Sequence, residues 1–169
     1  KAMNLGDTSE LLGANDNQEL HNLERIYQKE TALSFLKNGV KFADINRVDF
    51  RGEVSIGKNV FIDINVVLEG KVTIGSDSII SAGAVIRNSS LGKKIKVEPC
   101  SVIENSKIGD NSMIGPFAHI GPGSELANDV EIGNFVEVKR STISQKTKAK
   151  HLAYIGDGVI DSNVNVGAG

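Results

Sequence analysis

Residues 56–91 read IGKNVF IDINVV LEGKVT IGSDSI ISAGAV IRNSS L, and the spacing of their aliphatic side chains decides the fold. Ile56, Ile62, Leu68, Ile74, Ile80 and Ile86 open the series. It continues through Leu91, Val97, Ile103, Ile108, Ile114, Ile120, Leu126, Ile132, Val138, Ile143, Ala149, Ile155, Ile160 and Val166. Nineteen of these twenty positions are Ile, Leu or Val, and Ala149 is the exception. A period of six matches neither the helical nor the alternating-strand period, but it is the signature of a hexapeptide-repeat solenoid. Such a coil has three flat faces, and successive coils pair as parallel strands about 4.8 Å apart.

The rest of each repeat agrees. Its fifth residue is small or β-branched almost throughout, as in Val60, Val66, Val72, Ser78 and Ala84, with Lys107 as the exception. The second residue is often Gly, as in Gly57, Gly75, Gly92 and Gly133, which suits tight backbone bends. Four repeats are one residue short: those opening at Ile86, Ile103, Val138 and Ile155. Counted from Ile56 they are the sixth, ninth, fifteenth and eighteenth, so every shortening falls on the same face of a three-sided coil.

Before the repeats the pattern changes. Residues 1–17 are polar and read as a loop. From about Gln18 to Asn38 the chain reads as a helix, with Asn17 as N-cap, Gly39 as stop signal and an apolar stripe of Leu20, Leu23, Ile26, Tyr27 and Leu33. Phe35 and Leu36 lie off that stripe, so the helix end packs on something else. Residues 40–55 form a charged transition with Asp44, Arg47, Asp49 and Arg51. Position 1 is Lys and Gly169 falls inside a repeat, an order expected of a fragment of a longer protein.

Composition excludes several classes. The 169 residues carry a formal net charge of -2, which argues against nucleic acid as the main partner. No apolar run reaches membrane-spanning length and no signal-peptide pattern is visible. The lone Cys100 points to a reducing compartment and reads as an inert position on a solenoid wall. The three histidines show no zinc-ligand spacing.

Regularity weakens from Val138 to Tyr154, where Lys139, Arg140, Lys146, Lys148, Lys150 and His151 gather. One reading is a solvated basic face. The other is an anion-binding patch beside a proton acceptor, since phosphates attract clustered cations and His suits base work near neutral pH. Residues three repeats apart lie one above another. Asn134, Glu137, His151, Tyr154 and Ala168 should therefore converge, with Lys139 around the adjacent corner.

Six segments carry a family resemblance: LERIY (23–27), DFRG (49–52), GPFA (115–118), GNFVE (133–137), HLAYIG (151–156) and NVNVGAG (163–169). From about Gly13 to Gly169 the chain resembles the bacterial bifunctional N-acetylglucosamine-1-phosphate uridyltransferase / glucosamine-1-phosphate acetyltransferase. The resemblance implies a left-handed parallel β-helix, preceded by a connector α-helix, in a cytoplasmic homotrimer. It implies acetyl transfer from acetyl-CoA to the amine of glucosamine-1-phosphate, and coupling of the product to UTP with Mg²⁺ in another domain. His151 matches the general base. Lys139, Tyr154 and Asn165 match sugar-phosphate-binding positions, and Glu137 a residue near the base. Ala168 matches a backbone contact to acetyl-CoA. Asn15 matches a metal-binding Asn at the end of the uridyltransferase domain; read without the family it is an ordinary turn residue.

The implied division is a nucleotidyltransferase remnant over 1–17, a linker over 18–55 and a truncated acetyltransferase solenoid over 56–169. One departure stands out: Gly121 lies where the family usually carries an Arg that grips the sugar phosphate. That departure favours the alternative reading, a non-catalytic trimerising or regulatory solenoid of a sugar nucleotidyltransferase.

Overall fold

The computed structural model describes residues 14–168. Among these residues one helix, Asn17–Lys37, leads into short parallel strands that wind as a three-sided β-solenoid. Two faces join into one thirteen-stranded sheet and the third is a seven-stranded sheet. Aligned residues in successive coils are 17 or 18 apart, as in Val67↔Val85, Val102↔His119 and Glu137↔Tyr154. The helix begins one residue earlier than expected: Asp16, not Asn17, is the N-cap, its carboxylate accepting from the Glu19 N–H.

The first coil precedes the repeat series. Strands Lys41–Phe42, Val48–Arg51 and Val54–Ile56 pair with Phe61–Ile62, Val66–Glu69 and Val72–Ile74, so the segment read as a transition is itself solenoid. Its buried positions are Val40, Val48 and Phe50 rather than Ile, which hid the period. The stripe of Leu20, Ile26, Tyr27 and Leu33 faces outward on this chain, and the helix buries Gln28 and Ala32 instead. Phe35 closes that contact against Phe50, with ring centroids 5.3 Å apart.

Inside, the series from Ile62 to Ile155 is buried almost without exception, with Ile62, Leu68, Ile80, Ile86, Ile103, Ile114, Ile120 and Ile132 fully enclosed. The fifth position needs one correction. In the shortened repeats the small inward residue is the fourth: Ser89, Ser106 and Ser141 are buried, while Ser90, Lys107 and Thr142 face outward. The missing residue lies just upstream of that serine, at one corner. Lys107 is therefore no irregularity.

Apart from Gly115, φ 101°, the turning residues are also not the glycines of the second position. Three corner columns adopt left-handed backbone: Asn65, Gly83, Cys100, Phe117, Phe135 and Leu152 at the first corner. Gly70, Asn88, Asn105, Gly123, Arg140 and Asp157 form the second, and Asn59, Asp77, Lys94, Asn111, Asp129, Lys146 and Asn163 the third. Gly57, Gly75 and Gly133 serve close approach of coils instead. A Cβ on Gly133 would stand 1.7 Å from the Lys150 carbonyl oxygen. Cys100 likewise sits exposed at a corner, φ 57°, and not on a wall.

Candidate functional site

Two nine-residue strands, Glu131–Lys139 and Lys148–Gly156, are the longest in the chain. Their pairing continues past the first corner: Asn134↔His151, Val136↔Ala153, Glu137↔Tyr154 and Lys139↔Gly156 are aligned. Alternation along the strand buries Val136, Val138, Ala153 and Ile155 and turns Glu137, Lys139 and Tyr154 outward. His151 and Leu152 occupy the corner itself, and both are exposed. Among the described residues the His151 ring has no hydrogen-bond partner, so both ring nitrogens are open to a ligand.

The expected site residues thus fall on two faces of one corner. Glu137, Tyr154 and Lys139 share the second face, with Asn134 and His151 at the turn. Asn165 lies on the first face, aligned over Lys148. Ala168 is exposed at the end of the described residues, and no strand pairing holds it. Asn15 stands before the helix, where its backbone N–H and its side-chain amide donate to the Glu19 carboxylate at 2.7 and 3.1 Å. Both bonds belong to the start of the helix. Among the described residues no group of three or more His, Cys, Asp or Glu could hold a metal ion.

The basic run does not form one patch. Lys148 and Lys150 both bind Glu131 on the first face, Lys148 at 2.7 Å, and hydrogen bonds from Lys148 and then Lys150 hold the Glu131 carboxyl below its ordinary range. Lys146 sits at the third corner. Arg140, at the second corner, is taken by Asp157 through two bonds of 2.5 and 2.6 Å. The pair pushes Arg140 up and Asp157 down. Lys139 lies on the face of Tyr154, and Arg140 reaches Tyr154 from the second corner.

Periodicity by itself gave no warning of three further features. His119 sits on the second face one coil below Glu137, its Nε2 3.0 Å from Glu104 and its Nδ1 3.4 Å from Glu137. Phe117 and Phe135 stack at the first corner, centroids 5.5 Å and planes 11° apart, with Leu152 next in the column. Bulky residues rarely adopt φ near +50°, and the corner series at 17- and 18-residue steps was the signal that could have found them. Third, the Tyr154 ring lies over Gly156. A Cβ there would stand 2.5 Å from the phenol oxygen and 2.6 and 2.7 Å from Cε1 and Cζ. At Gly121, by contrast, a Cβ would lie 3.3 Å from the Val138 carbonyl oxygen, 3.5 Å from Lys139 Cγ and 3.7 Å from His119 Cε1.

Comparison with known proteins fits this architecture. A family model described as bacterial transferase hexapeptide (six repeats) matches residues 53–88 and 105–140. The bifunctional protein GlmU of Baumannia cicadellinicola subsp. Homalodisca coagulata is 48% identical over 161 residues, 95% of this chain and 34% of that protein. The GlmU of Wigglesworthia glossinidia brevipalpis is 46% identical over 160 residues, 95% of this chain and 35% of that protein. The chain therefore spans about a third of the length of these relatives. Among solved structures, a mutant of GDP-perosamine N-acetyl transferase from Caulobacter crescentus, in complex with CoA and GDP-perosamine, is similar with a TM-score of 0.61. The match covers 76% of this chain and 62% of that one at 22% identity, a likeness of fold alone. Over 95% of its length, and on a solenoid of hexapeptide repeats, this chain is similar at 46–48% identity to about a third of the bifunctional GlmU proteins.

Proposed function

We propose that the chain carries part of an acetyltransferase that moves an acetyl group from acetyl-CoA to the amine of glucosamine-1-phosphate. One observation carries the reading. His151 stands exposed and unpartnered on a corner, with Tyr154 and Lys139 on the adjoining face of a relative of bifunctional enzymes.

The chemistry follows from these groups. An ammonium has no lone pair, so the amine nitrogen becomes a nucleophile only as a proton leaves it, and the His151 imidazole is the acceptor. The nitrogen attacks the thioester carbonyl and the C–N bond forms. The C–S bond then breaks and the sulfur departs as CoA thiolate, which takes up a proton. Lys139, and Tyr154 through its hydroxyl, hold the sugar phosphate, and Asn165 meets it from the first face. Glu137 lies beside the base's coil, and the Ala168 backbone contacts acetyl-CoA, whose chemistry the protein mainly positions.

Gly121 offers no side chain to the phosphate, and it favours a second reading, a solenoid that only organises an attached nucleotidyltransferase. Against that, the Lys139 side chain already lies beside Gly121, its Cγ 3.5 Å from where a Cβ would stand. Coupling of the acetylated sugar phosphate to UTP with Mg²⁺ belongs to the whole protein, as do a homotrimeric assembly and a cytoplasmic location. No helix among the described residues is long and apolar enough to cross a membrane.

The test is release of CoA thiol from acetyl-CoA and glucosamine-1-phosphate by the whole protein that contains this chain, wild type beside His151→Ala. Loss of about 10²–10⁴ in kcat, with unchanged circular dichroism, supports the base. Equal rates in the two proteins remove His151 from the chemistry. A folded wild type with no activity leaves the organising solenoid as the better reading.

A further inference from the structure

Tyr154 is held in an unusual way for an exposed side chain. Its ring does not stand out from the wall; it lies down over Gly156, whose missing Cβ makes the room. The backbone at Gly156 is not left-handed, so glycine is required there for close approach and not for a turn. Beside it, Arg140 and Asp157 occupy the second corner one above the other, and the Asp157 N–H donates to the Lys139 carbonyl at 3.0 Å. Asp157 takes the Nε and one Nη of Arg140 in a two-point grip. The guanidinium is thereby fixed with its other Nη free to donate. Tyr154 is the next group that Arg140 feels after Asp157.

We propose that Gly156, Arg140 and Asp157 are positioning residues that pin the Tyr154 ring flat on the second face, presenting its hydroxyl to an anionic sugar ligand beside Lys139. An Arg140 N–H given to the phenol oxygen leaves the phenolic proton for the ligand. An Asp157 carboxylate that holds Arg140 also keeps the guanidinium from competing for the phosphate. The identity of the ligand rests on the acetyl-transfer reading; the pinning of the ring does not. None of the three residues touches the reacting atoms.

The experiment labels the whole protein that contains this chain with 3-fluorotyrosine and assigns the Tyr154 fluorine resonance by its loss in Tyr154→Phe. In Gly156→Ala, Arg140→Ala and Asp157→Asn the resonance shifts and narrows as the ring is released, and Arg140→Lys restores it only in part, since Lys lacks the fork. Steady-state kinetics then separates positioning from chemistry. KM for glucosamine-1-phosphate rises about tenfold in these variants while kcat stays within about threefold, the pattern of lost ground-state binding. An unchanged resonance in all three variants overturns the proposal, as does a released ring with an unaltered KM. If the wild type transfers no acetyl group, the acetyl-transfer reading fails, and the resonance alone decides whether these residues pin the ring.

Discussion

The side-chain amide of Gln28 completes the open edge of the solenoid at Phe50. The Phe50 N–H donates to Gln28 Oε1 at 2.7 Å, and Gln28 Nε2 donates back to the Phe50 carbonyl at 2.8 Å. A helical side chain thus supplies the two bonds that another strand would supply, and its remaining N–H goes to Glu24 at 2.7 Å. Exposed edges invite pairing with foreign strands, and this one is covered by the helix that delivers Gln28. Arg25 adds to the clamp by binding Asp49 on the same strand at 3.0 Å.

Gln28→Ala leaves both backbone groups of Phe50 buried and unpaired. Each such group costs about 1–3 kcal/mol, so the loss should be about 2–6 kcal/mol. Urea unfolding measures it, and amide exchange at Phe50 should quicken well beyond that of the inner coils. A midpoint equal to wild type would show that water replaces Gln28 without cost.

Two glycines two repeats apart should respond in opposite ways. Gly133→Ala forces a Cβ onto the Lys150 carbonyl, part of the backbone of the next coil, and should destabilise by more than about 3 kcal/mol. Gly121→Arg meets only an ordinary-to-tight contact at 3.3 Å and no unfavourable φ, so its melting temperature should stay within about 3 °C of wild type. If the second face holds a sugar phosphate, the added guanidinium should also lower KM. Equal melting losses for the two variants would refute the close-approach account.

Acid should weaken the fold through Asp49 and Glu131. Partial burial disfavours the Asp49 charge, yet hydrogen bonds from Arg25 and Arg51 outweigh it and hold the carboxyl below its ordinary 3.8. Glu131 is held below 4.5 by Lys148 and Lys150. A carboxylate whose pKa is lower in the folded state adds stability that is fully present above the unfolded value and lost as pH falls through the folded one. The urea midpoint should therefore be level from neutral pH to about pH 5 and decline below about pH 4. Both sites are part-exposed, so each contributes less than about 1 kcal/mol. Asp49→Asn with Glu131→Gln should flatten the decline, and an identical acid limb in that double variant would assign it elsewhere.

Several elements of the molecule were open to reading in one dimension. Ile62, Ile80 and Ile120 announce an inward wall because a repeating unit places the same side chain at the same angle in every coil. The shortened repeats at Ile86, Ile103, Val138 and Ile155 announce three sides, because only a coil of three keeps them on one corner. Alignment of Asn134 with His151 and of Glu137 with Tyr154 followed from the same arithmetic. The first coil was not legible, since Val48 and Phe50 fill the space that Ile fills elsewhere and Phe35 of the helix joins them. The outward stripe of the helix misled for a related reason: its burial is set by what packs on it, and Gln28 wins the buried position through hydrogen bonds that no hydropathy pattern records.

The sequence by itself determined the solenoid and its three faces, because a one-dimensional fold converts spacing along the chain directly into height and face. Only the tertiary structure decided how the charges divide. Lys148 and Lys150 turn to Glu131, Arg140 turns to Asp157, and Tyr154 folds onto Gly156, so a run that reads as one basic patch becomes separate contacts on different faces. The physical reason is that repeat position fixes where a Cα stands, whereas the direction of a long side chain is chosen by the partner it finds across the coil.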